Sequence, residues 1–173
     1  MSIARLLATV LLSLLFASSA GAQDASGFAG TWVFDETSGD REAAKQACAA
    51  AAEEYNVLIR SIVRGKLEET VVISEELEMS PGPNTMTISS DLASWTSDLS
   101  GTEVAVVDNA GKTVRLRRWI EEGKLHAVGE GGPGKKSFVF ELSEDGTRFR
   151  MKVTTEGGRL KSPLVYHLTY RKK

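Results

Sequence analysis

From Glu75 to Arg171 apolar and polar residues alternate with period two, in short runs broken by turn residues. Pro81-Gly82-Pro83-Asn84 divides Glu75–Ser80 from Thr85–Ser90, and Asp108-Asn109-Ala110-Gly111 divides Glu103–Val107 from Thr113–Ile120. Glu121-Glu122-Gly123 leads into Lys124–Val128, Asp145-Gly146 links Ser137–Leu142 to Arg148–Thr154, and Glu156-Gly157-Gly158 precedes Pro163–Arg171. Runs of this length, spaced by such turn signals at about 8–12 residues, predict an antiparallel meander. In the later strands Phe138, Phe140 and Leu142 share one face, as do Phe149, Met151 and Val153, while Arg148, Arg150 and Lys152 take the other. Phe28–Asp35 reads as the first strand.

Residues 41–64 follow a different rule. Ala43, Ala47, Ala51, Tyr55, Leu58 and Ile62 recur at spacings of three and four, the signature of one apolar helical stripe. Asp40 suits the N-cap, Glu42 the first turn and Gly65 the C-terminal stop. Lys66–Ile73 fits either a second short helix or the approach to a strand. The expected architecture is thus mainly β: an antiparallel up-and-down barrel of 8–10 strands, with one long amphipathic helix inserted after the first strand. Closure into a barrel removes the exposed edges that an open meander would leave, and a barrel of this size has room for side chains plus one small ligand.

The front of the chain is of another kind. Arg5 is the only charged residue before Asp24, Leu6–Ala17 is almost wholly apolar, and Ala20-Gly21-Ala22 closes the segment. A basic start, an apolar run of this length and an A-x-A site predict a secretory signal cleaved near Ala22. The run is too short to span a membrane, which takes about 20 apolar residues, and no Cys follows it for lipid attachment. The expectation is an exported protein of the periplasm or the exterior, soluble and with no stable membrane anchor. Cleavage leaves 151 of 173 residues, enough for one domain that buries about 70% of its unfolded surface. With Arg5 gone the net charge moves from −2 to −3, which favours neither nucleic acid nor an anionic membrane as partner. The single cysteine, Cys48, cannot form an internal disulfide and sits among alanines on the helix.

Several near-matches to catalytic motifs fail on context. Gly129-Glu130-Gly131-Gly132-Pro133-Gly134 spells G-x-G-x-x-G, but that fingerprint requires a strand running into a helix, and here a strand follows. Lys136 stands where a P-loop needs Ser or Thr. His126 and His167 are the only histidines, with no companion cluster for a metal, and alternation puts His167 opposite the core face. The acidic pairs Glu53-Glu54, Glu75-Glu76 and Glu121-Glu122 are adjacent residues, which do not converge on one point. Arg115, Arg117 and Trp119 share a strand face opposite Val114 and Leu116. They lie in solvent if the apolar face is inward, and in the cavity if the register is reversed.

Gly30-Thr31-Trp32, placed on a first strand ahead of helix and meander, resembles the G-x-W signature of the calycins, the lipocalins and fatty-acid-binding proteins. That resemblance implies a barrel floor formed by Trp32, with Arg171 as the basic residue packed on it, and a helical lid over the mouth. Gly111–Trp119 is similar to a calycin strand that ends in Trp. The chain from 27 to 173 also resembles a group of uncharacterised secreted bacterial proteins with a lipocalin-like fold. The shared pattern lies in Gly30–Asp35, Leu142-Ser143-Glu144-Asp145-Gly146, and Pro163–Tyr166 leading to Tyr170. Fatty-acid-binding proteins hold the ligand carboxylate with an Arg-x-Tyr pair in the last strand, whereas here the stretch is Leu168-Thr169-Tyr170.

These readings favour an exported carrier or sensor of a small, mainly apolar or amphipathic molecule, without catalysis, cofactor or metal. Candidate ligand-binding residues are Trp95, Trp119, Tyr166 and Tyr170, with Arg117 as anion anchor. The alternative is a structural or protein-interaction module of the cell envelope, its barrel filled by Phe138, Phe140, Phe149 and Met151. An enzyme would need a convergent polar set inside the barrel, and the sequence nominates none.

Overall fold

The period-two pattern becomes ten antiparallel strands in the computed structural model, which describes residues 25–107, 111–132, 134–158 and 160–173. The expected leader, the turn at Asp108–Ala110 and Pro133 lie outside the described residues. The strands are β1 (Gly30–Phe34), β2 (Glu76–Pro81), β3 (Thr85–Ser90), β4 (Ser94–Asp98), β5 (Val104–Val107), β6 (Thr113–Glu121), β7 (Lys124–Gly131), β8 (Gly134–Leu142), β9 (Arg148–Gly157) and β10 (Leu164–Lys172). Each pairs with its neighbour in the chain, except that β1 pairs with β10 and β4 does not pair with β5. The meander therefore closes on itself through its first and last strands and keeps one seam, between β4 and β5.

Alternation decides which side chains fill the interior. Phe149, Met151 and Val153 on β9 are buried, with Leu142, Phe140 and Phe138 of β8 directly opposite them. On β10, Leu164, Tyr166, Leu168 and Tyr170 are buried, while His167 takes the outer face as expected. One strand carries no apolar alternation. β4 is nearly all polar, and its outward Thr96 and Ser94 hydroxyls pair with Thr87 and Ser89 of β3 at 2.7 and 2.6 Å. Cross-strand hydroxyl pairs stabilise a ladder without a hydrophobic pattern.

The helical segment departs from its expected form. Two helices replace one: α1 (Asp40–Glu53) and α2 (Arg60–Thr70). The break lies at Asn56, whose side-chain oxygen accepts the backbone N–H of Leu58 at 3.0 Å, the local turn that Asn favours over helix. Because the helix stops there, Leu58 and Ile62 no longer set its phase and are 83% and 64% exposed. Ala44, Cys48 and Ala52 are buried in α1 instead of Ala43, Ala47 and Ala51. Gly65 is not a stop but lies inside α2, and Asp40 is the first helical residue rather than the cap. α1 packs against β10, putting Cys48 into the same core as Tyr166.

At one end of the interior the aromatic rings close ranks. Trp32 meets the edge of Phe149 at 4.9 Å, Phe149 stacks on Tyr170 at 4.9 Å, and Phe34 and Phe140 add edge contacts at 5.6 and 5.7 Å. Trp32 is fully buried and donates its indole N–H to the Phe28 carbonyl at 2.8 Å. The cation over its ring is Lys172, at 5.2 Å, and not Arg171. Register explains the correction: Lys172 lies directly opposite Trp32, whereas Arg171 faces Val33 on the other side of the sheet. Gly30 belongs to the same arrangement. Its φ is 122°, and a Cβ there would lie 3.1 Å from the Lys172 side chain.

Trp32→Ala removes the centre of this stack and the cap on the Phe28 carbonyl. Truncation of a fully buried Trp costs about 3–5 kcal/mol, so urea denaturation should show a loss of that size; a loss under about 1 kcal/mol would contradict the assigned floor.

Candidate functional site

The aromatic floor leaves the rest of the barrel unfilled. Beyond Phe140 and Tyr170 lies an internal cavity of about 290 Å³. Leu77, Ile88, Leu116, Phe138 and Met151 form much of its wall, and Val72 and Leu92 stand at its rim. Of the residues expected to fill the barrel, only Phe149 lies wholly in the packed end. Phe138, Phe140 and Met151 line the cavity instead.

Three of the five expected ligand residues belong to this cavity: Trp95, Tyr166 and Tyr170. The Tyr170 hydroxyl donates to the Ser74 carbonyl at 3.0 Å. The Tyr166 hydroxyl is buried with no hydrogen-bond partner. Burial pushes both phenols well above the usual tyrosine range, so both are neutral donors at any ordinary pH. Trp95 bridges the seam by donating its indole N–H to the Val107 carbonyl of β5 at 3.2 Å.

Arg117 and Trp119 are not in the site. Trp119 lies outside the barrel, stacked on His126 at 5.1 Å, with the Arg117 guanidinium 5.6 Å from its ring. The indole N–H donates to Glu121 at 3.2 Å. Arg115 shares that outer face and pairs with Glu130 at 2.9 Å. The apolar-inward register is therefore the one realised, and it carries Arg118 inward beside Leu116.

Arg118 is 2% exposed. Its Nη1 donates to the Met86 carbonyl of β3 at 2.8 Å and to the Trp95 carbonyl of β4 at 3.0 Å. One side chain from β6 thus spans the seam and bonds to carbonyls of the two strands on the far side. Its Nε is buried without a partner. Burial lowers its pKa to about 10, which leaves it charged at neutral pH. A second cation, Lys136 of β8, also lines the cavity and donates to the Thr70 carbonyl at the end of α2 at 3.0 Å. Burial lowers the Lys136 pKa as well. Neither cation has a carboxylate partner among the described residues, and the lining contains no Asp or Glu. Both were missed in the sequence, although the parity of Arg118 with Val114 and Leu116 pointed inward. On β10, Leu168 occupies the position of the arginine in the Arg-x-Tyr pair and is fully buried.

Other concave surfaces are poorer candidates. A depression of about 540 Å³ lies outside the barrel over Arg115, Glu130, Lys135 and Glu156, where ion pairs at 2.9 Å already match the charges. The G-x-G-x-x-G stretch is the turn between β7 and β8, with no helix after it. Among the described residues no three His, Cys, Asp or Glu side chains gather as metal ligands, and no helix is long and apolar enough to cross a membrane.

No protein-family model matches the chain, and no curated protein matches it in sequence. Solved structures do match in shape. A fatty acid transporter, REP1-NXSQ, superposes with a TM-score of 0.53 at 12% identity, covering 86% of this chain and 98% of its own. Lipid binding protein 8 of Caenorhabditis elegans gives 0.53 at 12% identity over 87% and 98%. A secretary abundant heat soluble protein from Ramazzottius varieornatus gives 0.57 at 9% identity over 88% and 99%. The fold is therefore that of the fatty-acid-binding calycins: a nearly closed ten-stranded antiparallel barrel with two helices between its first two strands.

The bond from Lys136 ties α2 to the barrel wall. A hydrogen bond from a charged donor contributes about 1.5 kcal/mol, so Lys136→Met should speed amide exchange across residues 60–70 roughly tenfold, with protection in β9 and β10 unchanged. Equal exchange in both proteins would show that this bond does not hold the helix.

Proposed function

We propose that this protein is a non-enzymatic carrier or sensor that holds a small, mainly apolar molecule inside its barrel. The observation that carries the reading is the cavity within the barrel, open at the rim formed by Val72 and Leu92 and walled by apolar side chains with a few polar groups set among them, the usual composition of a small-molecule pocket. Two named neighbours of the same shape, the fatty acid transporter and lipid binding protein 8, support it. The envelope-module alternative required an interior filled by its own side chains, and the cavity argues against it. Export is part of the proposal and rests on Arg5, the apolar run Leu6–Ala17 and Ala20-Gly21-Ala22.

Binding inside the barrel is tested with N-phenyl-1-naphthylamine, a neutral probe that fluoresces in apolar surroundings. Ala127 is buried and faces the cavity, and Ala127→Trp puts an indole there. The variant should keep its β-sheet circular dichroism and bind the probe at least tenfold more weakly. Unchanged affinity would place the probe elsewhere and count against the cavity. For export, full-length protein made in a secreting host should yield a mature chain that begins at Gln23; a chain retaining residues 1–22 would refute the leader.

A further inference from the structure

Resting on the reading that the cavity holds an apolar molecule, we infer that this molecule carries an aldehyde or ketone, which Lys136 captures as a reversible imine. Lys136 has the inward parity of Phe138 and Phe140 on β8 and lines the cavity with them. It keeps accessible surface, whereas Arg118 is sealed into the seam. Its partners in register are Gly129 of β7 and Thr155 of β9, so neither places an acid or a large side chain beside its stem.

Its surroundings differ from those of other lysines. Lys135, its neighbour in the chain, pairs with Glu156 at 2.9 Å. Lys124 pairs with Glu141 and Lys173 with Glu76, both at 2.9 Å, and Lys66 pairs with Glu69 at 2.8 Å. A carboxylate partner favours the ammonium form, which has no lone pair to attack a carbonyl. Lys136 has no carboxylate partner among the described residues, and its hydrogen bond goes to the neutral carbonyl of Thr70 at 3.0 Å. Burial disfavours its charged form, the condition under which a lysine amine in an apolar pocket becomes a nucleophile. A neutral amine that gives one N–H to Thr70 still has its lone pair.

The capture needs no oxidant and no cofactor. The Nζ lone pair attacks the carbonyl carbon, and the new C–N bond makes a carbinolamine. Both amine hydrogens then leave with the carbonyl oxygen as one water, and the C=N bond forms. One of those hydrogens is the one given to Thr70, so capture also releases the end of α2. Hydrolysis reverses the step and returns the carbonyl compound unchanged, as a carrier requires. Apolar walls keep water away from the imine while the ligand stays inside.

The test uses the unmodified protein with decanal and cyanoborohydride at neutral pH, the hydride reducing any imine to a stable secondary amine. Peptide mass mapping should find a decyl group on Lys136 at least tenfold sooner than on Lys45, Lys66, Lys124 or Lys152. N-phenyl-1-naphthylamine should slow that labelling, and so should Ala127→Trp, because both occupy the cavity. Lys136→Arg should lose the fast label while the surface lysines react as before. Equal labelling of Lys136 and the surface lysines, in protein that binds the probe, would overturn the inference and leave the apolar cavity reading standing. Labelling of Lys136 that neither the probe nor Ala127→Trp slows would show an amine reached from solvent and would also overturn it. Failure of the probe to bind the unmodified protein would instead defeat the underlying proposal.

Discussion

A sheet that closes through its first and last strands still has to deal with the gap left between β4 and β5, and a buried arginine deals with it. The Met86 carbonyl belongs to β3 and the Trp95 carbonyl to β4, the two strands on the far side of that gap. Arg118 reaches across from β6 and bonds to both. Trp95 reciprocates with its indole N–H on the Val107 carbonyl of β5, and the backbone adds a bond from the Gly101 N–H to the Arg118 carbonyl. The seam is held by side chains that point inward or across, and that need brings a positive charge into an otherwise apolar interior.

The rest of the interior follows from how the rings are distributed. Phe34, Phe149 and Tyr170 gather around Trp32 at one end, where Gly30 leaves room for the Lys172 side chain over the indole. Beyond that end, Leu77, Ile88 and Leu116 share the cavity wall with Trp95, Phe138 and Tyr166. α1 packs on β10 through small buried residues, Ala44, Cys48 and Ala52, and among the described residues neither helix contributes a side chain to the cavity lining.

Much of this was legible in the residues. The alternation on β8, β9 and β10 gave the facing of their side chains correctly, since a half-buried strand must separate apolar from charged positions. Trp32 was recognisable from its glycine and its place on the first strand. β4 was not, because it forms on hydroxyl pairs and backbone bonds rather than on apolar alternation. The helix was read as continuous because Leu58 and Ile62 fall on the phase of an alanine stripe, and a run of alanines carries little information about phase. Local turn chemistry at Asn56 overrode it. For the site, Tyr166, Tyr170 and Trp95 were found as aromatic residues near the expected cavity. Arg117 was chosen over Arg118 by the same habit, with Trp119 as a guide, although Leu116 and Arg118 share parity. A buried cation contradicts the rule that charged residues face water, and such exceptions mark places where sequence patterning gives way to function.

The energetics of Arg118 bear on why an arginine stands there at all. Burying a guanidinium costs several kcal/mol after relaxation of its surroundings, and each of its two charged hydrogen bonds contributes about 1.5–3 kcal/mol. The two sides come close to cancelling, so the seam clasp by itself gives the empty barrel little net stability. A neutral donor would satisfy one carbonyl at a lower desolvation cost, and an apolar residue would avoid that cost altogether. What neither supplies is a planar fork long enough to cross from β6 and bond to carbonyls on both β3 and β4. The contribution of Arg118 is therefore geometric: it fixes β6 against β3 and β4 across the β4–β5 gap.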